Sequence, residues 1–505
     1  MKLVALLLAV LVPQGLLRAI ESTRPNIIFI LASDVGFGDL GCYGARHVQT
    51  PNLDRLAAQG CRFTDAHAPA SIGTPFRRAF LTGVYSWRQT AGAVPGNGDA
   101  SLCIPPGTTT LPTLLKQTGY RTGFIGQWHL GLGGQNGPNW NSEIKPGPLE
   151  LDFDQAFFLP ASPDRVPTVF IEDRRVAGLD ARDPLLVSYV AKVGLDPTGS
   201  ENSALLKLWH YDGHTNTIVN GIARYGWMSG GNAARWKDED LAETLTAKAV
   251  QFIDTNRSRP FFLCFAPNNI HVPRSPHSRF KGASAVGARG DAIHELDASV
   301  GRLLARLDEL QLAHHTLVIF TSDNGGILED GYYDAGRANY SPNGPLRGWK
   351  GTIFEGGHRV PFIVNWPGRI RPGTTSDALF AHLDMPATLA ALTGARIPEG
   401  QCRDSVNVLP AILGAARTGR EELITHSTGT RGPFALRQKN WKLIQPGPGP
   451  GYGKMSAARA ETRNPQTPML FELASDPGET KNLATELNPR LREMQAALVR
   501  LRGGK

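Results

Sequence analysis

From Pro25 onward the chain alternates short apolar runs with amphipathic stretches. Asn26 to Ala32 (NIIFILA) is apolar almost throughout and of strand length, which predicts a strand buried on both faces. Asn52 to Gly60 predicts a short helix and Arg121 to Gly126 a second strand. Leu241 to Asp254 predicts a helix, followed by a strand over Pro260 to Ala266. The helical period is clearest over 292–310, where Ile293, Leu296, Val300, Leu303, Leu307 and Leu310 recur at three- and four-residue steps. Strands over Leu317 to Thr321 and Pro361 to Asn365 come next, then a helix over Asp384 to Thr393. This alternation predicts an α/β fold: a large mixed, mainly parallel sheet flanked by helices.

After about residue 415 the pattern changes. Phe434 to Gln445 alternates apolar and polar residues about Lys439-Asn440, a hairpin signal. Leu470 to Leu473 adds a strand and 487–502 a closing amphipathic helix. The Pro/Gly tract at 446–453 reads as a loop. A small C-terminal antiparallel sheet with a helix is therefore expected over 415–505, behind a main domain over 24–414. Residues 1–19 read as a signal peptide: Lys2 precedes the apolar run Leu3 to Val12, and Leu17-Arg18-Ala19 offers a cleavage site. That run is too short to span a bilayer, and no later segment is long and apolar enough, so a secreted or periplasmic protein without a membrane span is expected.

Composition narrows the classes. At 505 residues and 41% apolar, the chain can bury a large core. Its net charge of +8 (53 basic against 45 acidic residues) suits an anionic partner. The basic residues are scattered rather than clustered in runs, which argues against nucleic acid. The five cysteines (Cys42, Cys61, Cys103, Cys264, Cys402) show no zinc spacing, and both disulfides and free thiols are compatible with them.

In open α/β sheets, ligands bind beyond the carboxyl ends of the strands. The residues following the apolar runs are Ser33-Asp34, Gln127-Trp128-His129, Asn268-Asn269 with His271, and Ser322-Asp323-Asn324. Asp34, Asp323 and Asn324 are hard oxygen donors of the kind calcium or magnesium takes. Singly, each acid is an ordinary turn or cap residue and each His an ordinary structural one. Delivery to one rim by several strands is what suggests a metal or anion site.

These segments resemble the sulfatase family, arylsulfatase-A-like, within the alkaline-phosphatase-like superfamily. The matching stretches are LASDVGFGDLGCYG (31–44), TPNLDRLAAQG (50–60), TPFRRAFLTGVYSWR (74–88), GQWHLGLG (126–133), HVPRSPHSRF (271–280), TSDNGG (321–326), GPLRGWKGTIFEGGHRVPF (344–362) and LFELASDPGETKNLA (470–484). The resemblance implies that 24–414 is a sulfatase catalytic-type domain. It also implies hydrolysis of sulfuric esters by a formylglycine made from the Cys of a Cys-x-Pro-Ser/Thr-Arg motif, with calcium polarising the sulfate. Position by position, it assigns Asp34, Asp323 and Asn324 to the metal. Arg77, His129, His271 and Lys350 fall on catalytic and sulfate-binding positions.

The departures fall on the chemistry. Gly73 stands where the modified Cys belongs, so no aldehyde can form there. Phe76 replaces the small hydroxyl residue of the maturation motif, and its ring is expected to crowd the site. Ser33 replaces the first of two metal carboxylates, Gln127 replaces a sulfate-holding Lys, and Asn268-Asn269 stand where His-Asp is expected. The expectation is a pseudoenzyme with a weakened calcium site. Two alternatives stand beside it: a hydrolase of sulfate or phosphate esters using Thr74, Ser71, Asp34 or a metal-bound water, and a non-catalytic binder of sulfated glycan. Loops 134–149 and 196–236 are expected at the pocket mouth; the His210–His214 stretch reads equally well as reaching the site or as a surface loop.

Overall fold

The fold is taken from a computed structural model, which describes residues 24–89, 96–210, 213–328, 330, 332, 340–428, 432–447 and 465–503. The expected signal peptide, and most of the 446–453 tract, lie outside the described residues. The main-domain strands used below are β1 (Asn26–Ala32), β2 (Cys61–Phe63), β3 (Arg121–Gln127), β4 (Gln155–Leu159), β5 (Phe261–Ala266), β6 (Thr316–Ser322) and β7 (Phe362–Asn365). The helices are α1 (Pro51–Ala58), α2 (Gly73–Thr82), α3 (Leu241–Asn256), α4 (Ala288–Glu309) and α5 (Met385–Thr393).

A ten-stranded sheet organises the main domain, with central order β6-β1-β5-β3-β4, all parallel. The mixed character comes from the edges. Strand β7 runs antiparallel to β6 and to β2, and the short strands at 171–172 and 175–176 pair antiparallel beyond β4. Residues of β1 alternate between two cores: Ile27, Phe29 and Leu31 face one, Ile28, Ile30 and Ala32 the other. Helix α2 fills the first core with Phe76 and Phe80. Helices α3 and α4 fill the second with Leu245, Phe252, Ile293, Leu296 and Val300. Burial on both faces explains why β1 reads as an unbroken apolar run.

The C-terminal segment forms a four-stranded antiparallel sheet in chain order, β8 (Glu422–His426), β9 (Phe434–Gln438), β10 (Trp441–Gln445) and β11 (Met469–Glu472). The closing helix α6 (Asn488–Arg502) packs Met494, Ala497 and Leu498 on it. The hairpin turn falls at Lys439, whose φ is +51°. Buried charges also bind this sheet to the main domain. Lys442 contacts Glu355 at 2.9 Å and Glu479 at 2.8 Å. Asp65 pairs with Arg437 at 2.9 Å and His67 at 2.9 Å, and His67 Nδ1 meets His358 Nδ1 at 3.0 Å. The five cysteines are all free thiols.

Candidate functional site

At the carboxyl ends of the central strands the backbone turns sharply. Asp34 follows β1 with φ +64° and His129 follows β3 with φ +52°, both in the left-handed region that non-glycine residues seldom adopt. Such conformations cost free energy and cluster where a side chain must be aimed at a ligand. Asp323 and Asn324 follow β6, and Asp323 N–H bonds the Ala32 carbonyl at 3.1 Å, so β1 and β6 present their acids side by side.

These strand ends, together with Gly73, Thr74, His271 and Lys350, line one cleft of about 750 Å³. All seven residues expected at the site meet there or directly behind it. Asp34 accepts from Asn324 Nδ2 at 2.8 Å and from the Lys350 ammonium at 3.0 Å. Lys350 also reaches His271 Nε2 at 3.2 Å and Asp330 at 2.6 Å. His271 Nδ1 donates to the Val272 carbonyl at 2.7 Å, and its Nε2 faces the Lys350 ammonium. Arg77 donates to Asp323 Oδ2 at 3.0 Å and to the Gln127 carbonyl at 2.7 Å, and Ser33 Oγ donates to Asp323 Oδ2 at 3.3 Å.

Burial sets the electrostatics. It opposes ionisation of Asp34, but Lys350, His271 and the Asn324 amide hold this carboxyl well below the usual range. Asp323 moves the other way: burial and the neighbouring Asp34 raise it, against the pull of Arg77. His129 lies well below the ordinary imidazole value because it is buried and faces Arg165 and Arg77. Four polar atoms in this shell have no hydrogen-bond partner among the described residues: Arg77 Nε, Gln127 Oε1, His129 Nε2 and Asn324 Oδ1. Leaving such groups unpaired costs about 1–3 kcal/mol each, so the cleft is built to hold something polar.

Position 73 opens α2 at the cleft. A Cβ added there would lie 2.9 Å from Asp323 Oδ2 and 3.8 Å from Arg77 Nε. A side chain at 73 would thus point among the acids and cations, and the glycine leaves that place empty.

The structure corrects several expectations. Phe76 does not crowd the cleft: it is fully buried in the core, its ring 6.0 Å from Phe80 and 4.9 Å from His382. It packs into the first core beside Phe80, while Gly73, at the helix's first turn, lines the cleft. The Ser71 hydroxyl donates to the His426 carbonyl at 3.4 Å, away from the cleft. Asn269 donates to Glu295 at 2.9 Å, and neither it nor Asn268 lines the cleft. Among described residues Gly96 and Arg165 line the cleft, and none of 134–149 or 196–236 does. The second loop acts from behind, where His214 Nε2 meets Asp164 at 2.9 Å. Asp164 itself is buried and contacts Ser162, Arg165 and, at 3.9 Å, His271 Nδ1. Burial opposes its charge, but Arg165, His214 and His271 hold its carboxyl well below the usual range. Asp164, Arg165 and Asp330 sit in stretches without a motif, so the apolar pattern offered no signal for them.

The Sulfatase family matches residues 25–395. The chain belongs to the sulfatase family. An N-acetylgalactosamine-6-O-sulfatase of Bacteroides thetaiotaomicron is 44% identical over 482 residues, covering 95% of this chain and 93% of that protein. Human arylsulfatase A is 33% identical over 490 residues, covering 93% of this chain and 86% of that enzyme. A solved 6S-sulfatase structure from work on glycosaminoglycan metabolism by Bacteroides thetaiotaomicron superposes with a TM-score of 0.90 at 43% identity, covering 95% of this chain and 99% of that one.

Sulfatases typically use a metal ion, and this sulfatase scaffold keeps a donor set that fits one. The buried Asn324 Oδ1 has no partner, and the Asp34 and Asp323 carboxylates and the Ser33 hydroxyl stand beside it. These are hard oxygen donors suited to calcium or magnesium. The set carries two carboxylates, each already in contact with a cation, Lys350 or Arg77.

Proposed function

We propose that this sulfatase-family protein is exported, recognises a sulfated hexosamine of the N-acetylgalactosamine-6-sulfate type, and lacks normal turnover. The observation that carries the reading is the direction of position 73. A side chain there would stand 2.9 Å from Asp323 Oδ2, inside the polar cleft, and Gly73 supplies none. With no atom to bond sulfur at that place, the covalent route is closed.

The residues that remain are suited to binding. Lys350 and Arg77 supply positive charge, His129 Nε2 is an unpaired donor or acceptor at the wall, and Gln127 Oε1 lacks a donor. A sulfate ester accepts from such groups, and charge-assisted bonds in a buried cleft are the stronger class. Arg165, anchored by Asp164, stands at the mouth where the sugar would lie. Asp34, Asp323 and Asn324 would hold calcium, with Ser33 in place of a third carboxylate, and affinity falls accordingly. Bound there, calcium would supply charge that steadies the sulfate.

A second reading rests on one observation: Thr74 lines the cleft beside the empty slot and carries a hydroxyl. A hydrolase of phosphate or sulfate esters using Thr74 predicts ester cleavage that Thr74→Val abolishes. Calorimetric titration with N-acetylgalactosamine 6-sulfate, alongside a sulfate-release assay, tests the proposal. Binding without release is expected, whereas release lost in Thr74→Val replaces the proposal with the second reading.

A further inference from the structure

A second groove, of about 800 Å³, lies away from the cleft and is lined by Trp87, Arg88, Arg403, Val499, Arg502 and Gly503. Helix α2 separates the two places. It begins at the cleft with Gly73 and ends at Thr82, about 13 Å on at the helical rise. The chain at 402–405 packs at this far end, where a Cβ on Gly83 would lie 2.8 Å from Cys402 Cβ. The groove is therefore not a branch of the cleft.

Its charge is unbalanced. Arg88 is fixed: its Nε meets both Asp404 oxygens at 3.0 and 3.1 Å, and its guanidinium lies 4.3 Å from the Trp87 ring centroid. Arg502 lies over Phe434 at 3.9 Å and 5.9 Å from Trp87. Neither Arg502 nor the exposed Arg403 pairs with a carboxylate among the described residues, so three guanidinium groups share one acid. Partial burial lowers the Arg502 pKa. The Trp87 Nε1–H is buried and has no acceptor among the described residues. Val499, 47% exposed, adds an apolar wall.

We propose that this groove is a second binding site for a sulfated polysaccharide. Its guanidinium forks would take sulfate or carboxylate groups, and Val499 the apolar face of a sugar ring. Guanidinium groups match such oxyanions bidentately. The open shape admits a chain segment rather than a lone ion, and engagement at both ends of α2 would raise retention on a polymer by effective concentration. The choice of a sulfated glycan over other polyanions rests on the function proposed for the cleft; the groove's affinity for anions does not.

The test titrates the full chain with polymeric chondroitin 6-sulfate, with N-acetylgalactosamine 6-sulfate, with inorganic sulfate and with single-stranded DNA. Wild type is compared with Arg403→Ala/Arg502→Ala and with Lys350→Met. Both arginines are exposed, so the double variant should keep its thermal midpoint. Polymer affinity should fall at least about fivefold in the double variant and be retained in large part by Lys350→Met. Monosaccharide binding should show the reverse pattern, and Arg403→Lys/Arg502→Lys should recover part of the loss. Unchanged polymer affinity in the double variant overturns the groove, as does inorganic sulfate matching the polymer. Equal binding of DNA through the two arginines overturns the glycan assignment. Polymer binding through the groove without monosaccharide binding in the cleft would sink the cleft's function and leave the groove standing.

Discussion

Two buried clusters of charge sit in this molecule, and they are built differently. Behind the C-terminal sheet, Lys442 lies between Glu355 and Glu479, and His67 joins His358 to Asp65. Each charged group there has an opposite partner within contact distance; even Glu479 Oε1, which makes no hydrogen bond, lies 2.8 Å from the Lys442 ammonium. His67, Glu355 and His358 are close enough to chelate a metal, but Lys442 already meets Glu355 and lies 3.3 Å from His358 Nε2. In the cleft, by contrast, Arg77 Nε, Gln127 Oε1, His129 Nε2 and Asn324 Oδ1 are left without partners. Buried polar groups are normally satisfied, so an orphaned set marks a place shaped for a ligand and a satisfied set marks a strut. Composition alone would not separate the two; satisfaction does.

The strongest way to break that contrast is restoration. The variant Gly73→Cys, Phe76→Ser, Ser33→Asp and Gln127→Lys, made with the maturation enzyme, should gain sulfatase activity by about six orders of magnitude, the usual scale for a covalent nucleophile. The same variant should lose stability, because Phe76 is a fully buried core residue and truncating a buried Phe costs about 3–5 kcal/mol. Thermal unfolding of Phe76→Ala alone isolates that cost.

Next in size is a comparison of two lysines. Lys442→Met strands Glu355 and Glu479 and should cost about 3–5 kcal/mol, the scale for breaking a buried ion pair. Lys350→Met removes the cation between Asp34 and Asp330 and should also destabilise. Millimolar calcium should restore the thermal midpoint of Lys350→Met, whose freed carboxylates face hard donors, and leave Lys442→Met unmoved. Equal rescue of both, or of neither, would erase the distinction between site and strut.

The smallest effect is a pH slope. Glu479 is pushed up to about 7 by burial and by the neighbouring Glu355, despite Lys442. An acid raised in the folded state stabilises the fold when protonated. Its contribution is full below the unfolded value near 4.5 and is lost as pH rises through about 7. His358, held well below the ordinary imidazole value by burial and Lys442, works oppositely near neutrality. The difference between wild type and Glu479→Gln therefore isolates the effect: wild type should lose stability relative to the variant as pH rises from about 4.5 to 7. Urea midpoints across that range check it.

Much of the fold was legible because burial leaves a periodic trace. The strand Asn26–Ala32 is found where expected, and the 292–310 period lies within the helix Ala288–Glu309. Three elements left less trace. Helix α2 carries Arg77 and Arg78 buried among its apolar residues, which breaks the amphipathic pattern. Strand β4 opens with exposed Gln155, and the antiparallel pairing of β7 is a matter of connection that no local pattern encodes. The candidate site was legible through motif and strand-end position. Arg165 and Asp164 were not, because they lie after β4 in a segment whose fold is fixed by long-range contacts such as His214 to Asp164. Phe76 was misplaced for a related reason: motif adjacency to Gly73 says nothing about which face of a helix a side chain takes.

The proposed loss of the covalent step, on a scaffold that keeps a sulfatase's anion-binding groups, is open to a direct assay. The most direct measurement is sulfate release from N-acetylgalactosamine 6-sulfate by purified wild-type protein with calcium, against His271→Ala and Asp323→Ala. No release above the two variants is the result expected of a slot left empty by Gly73. Steady wild-type release, abolished in both variants, would contradict it.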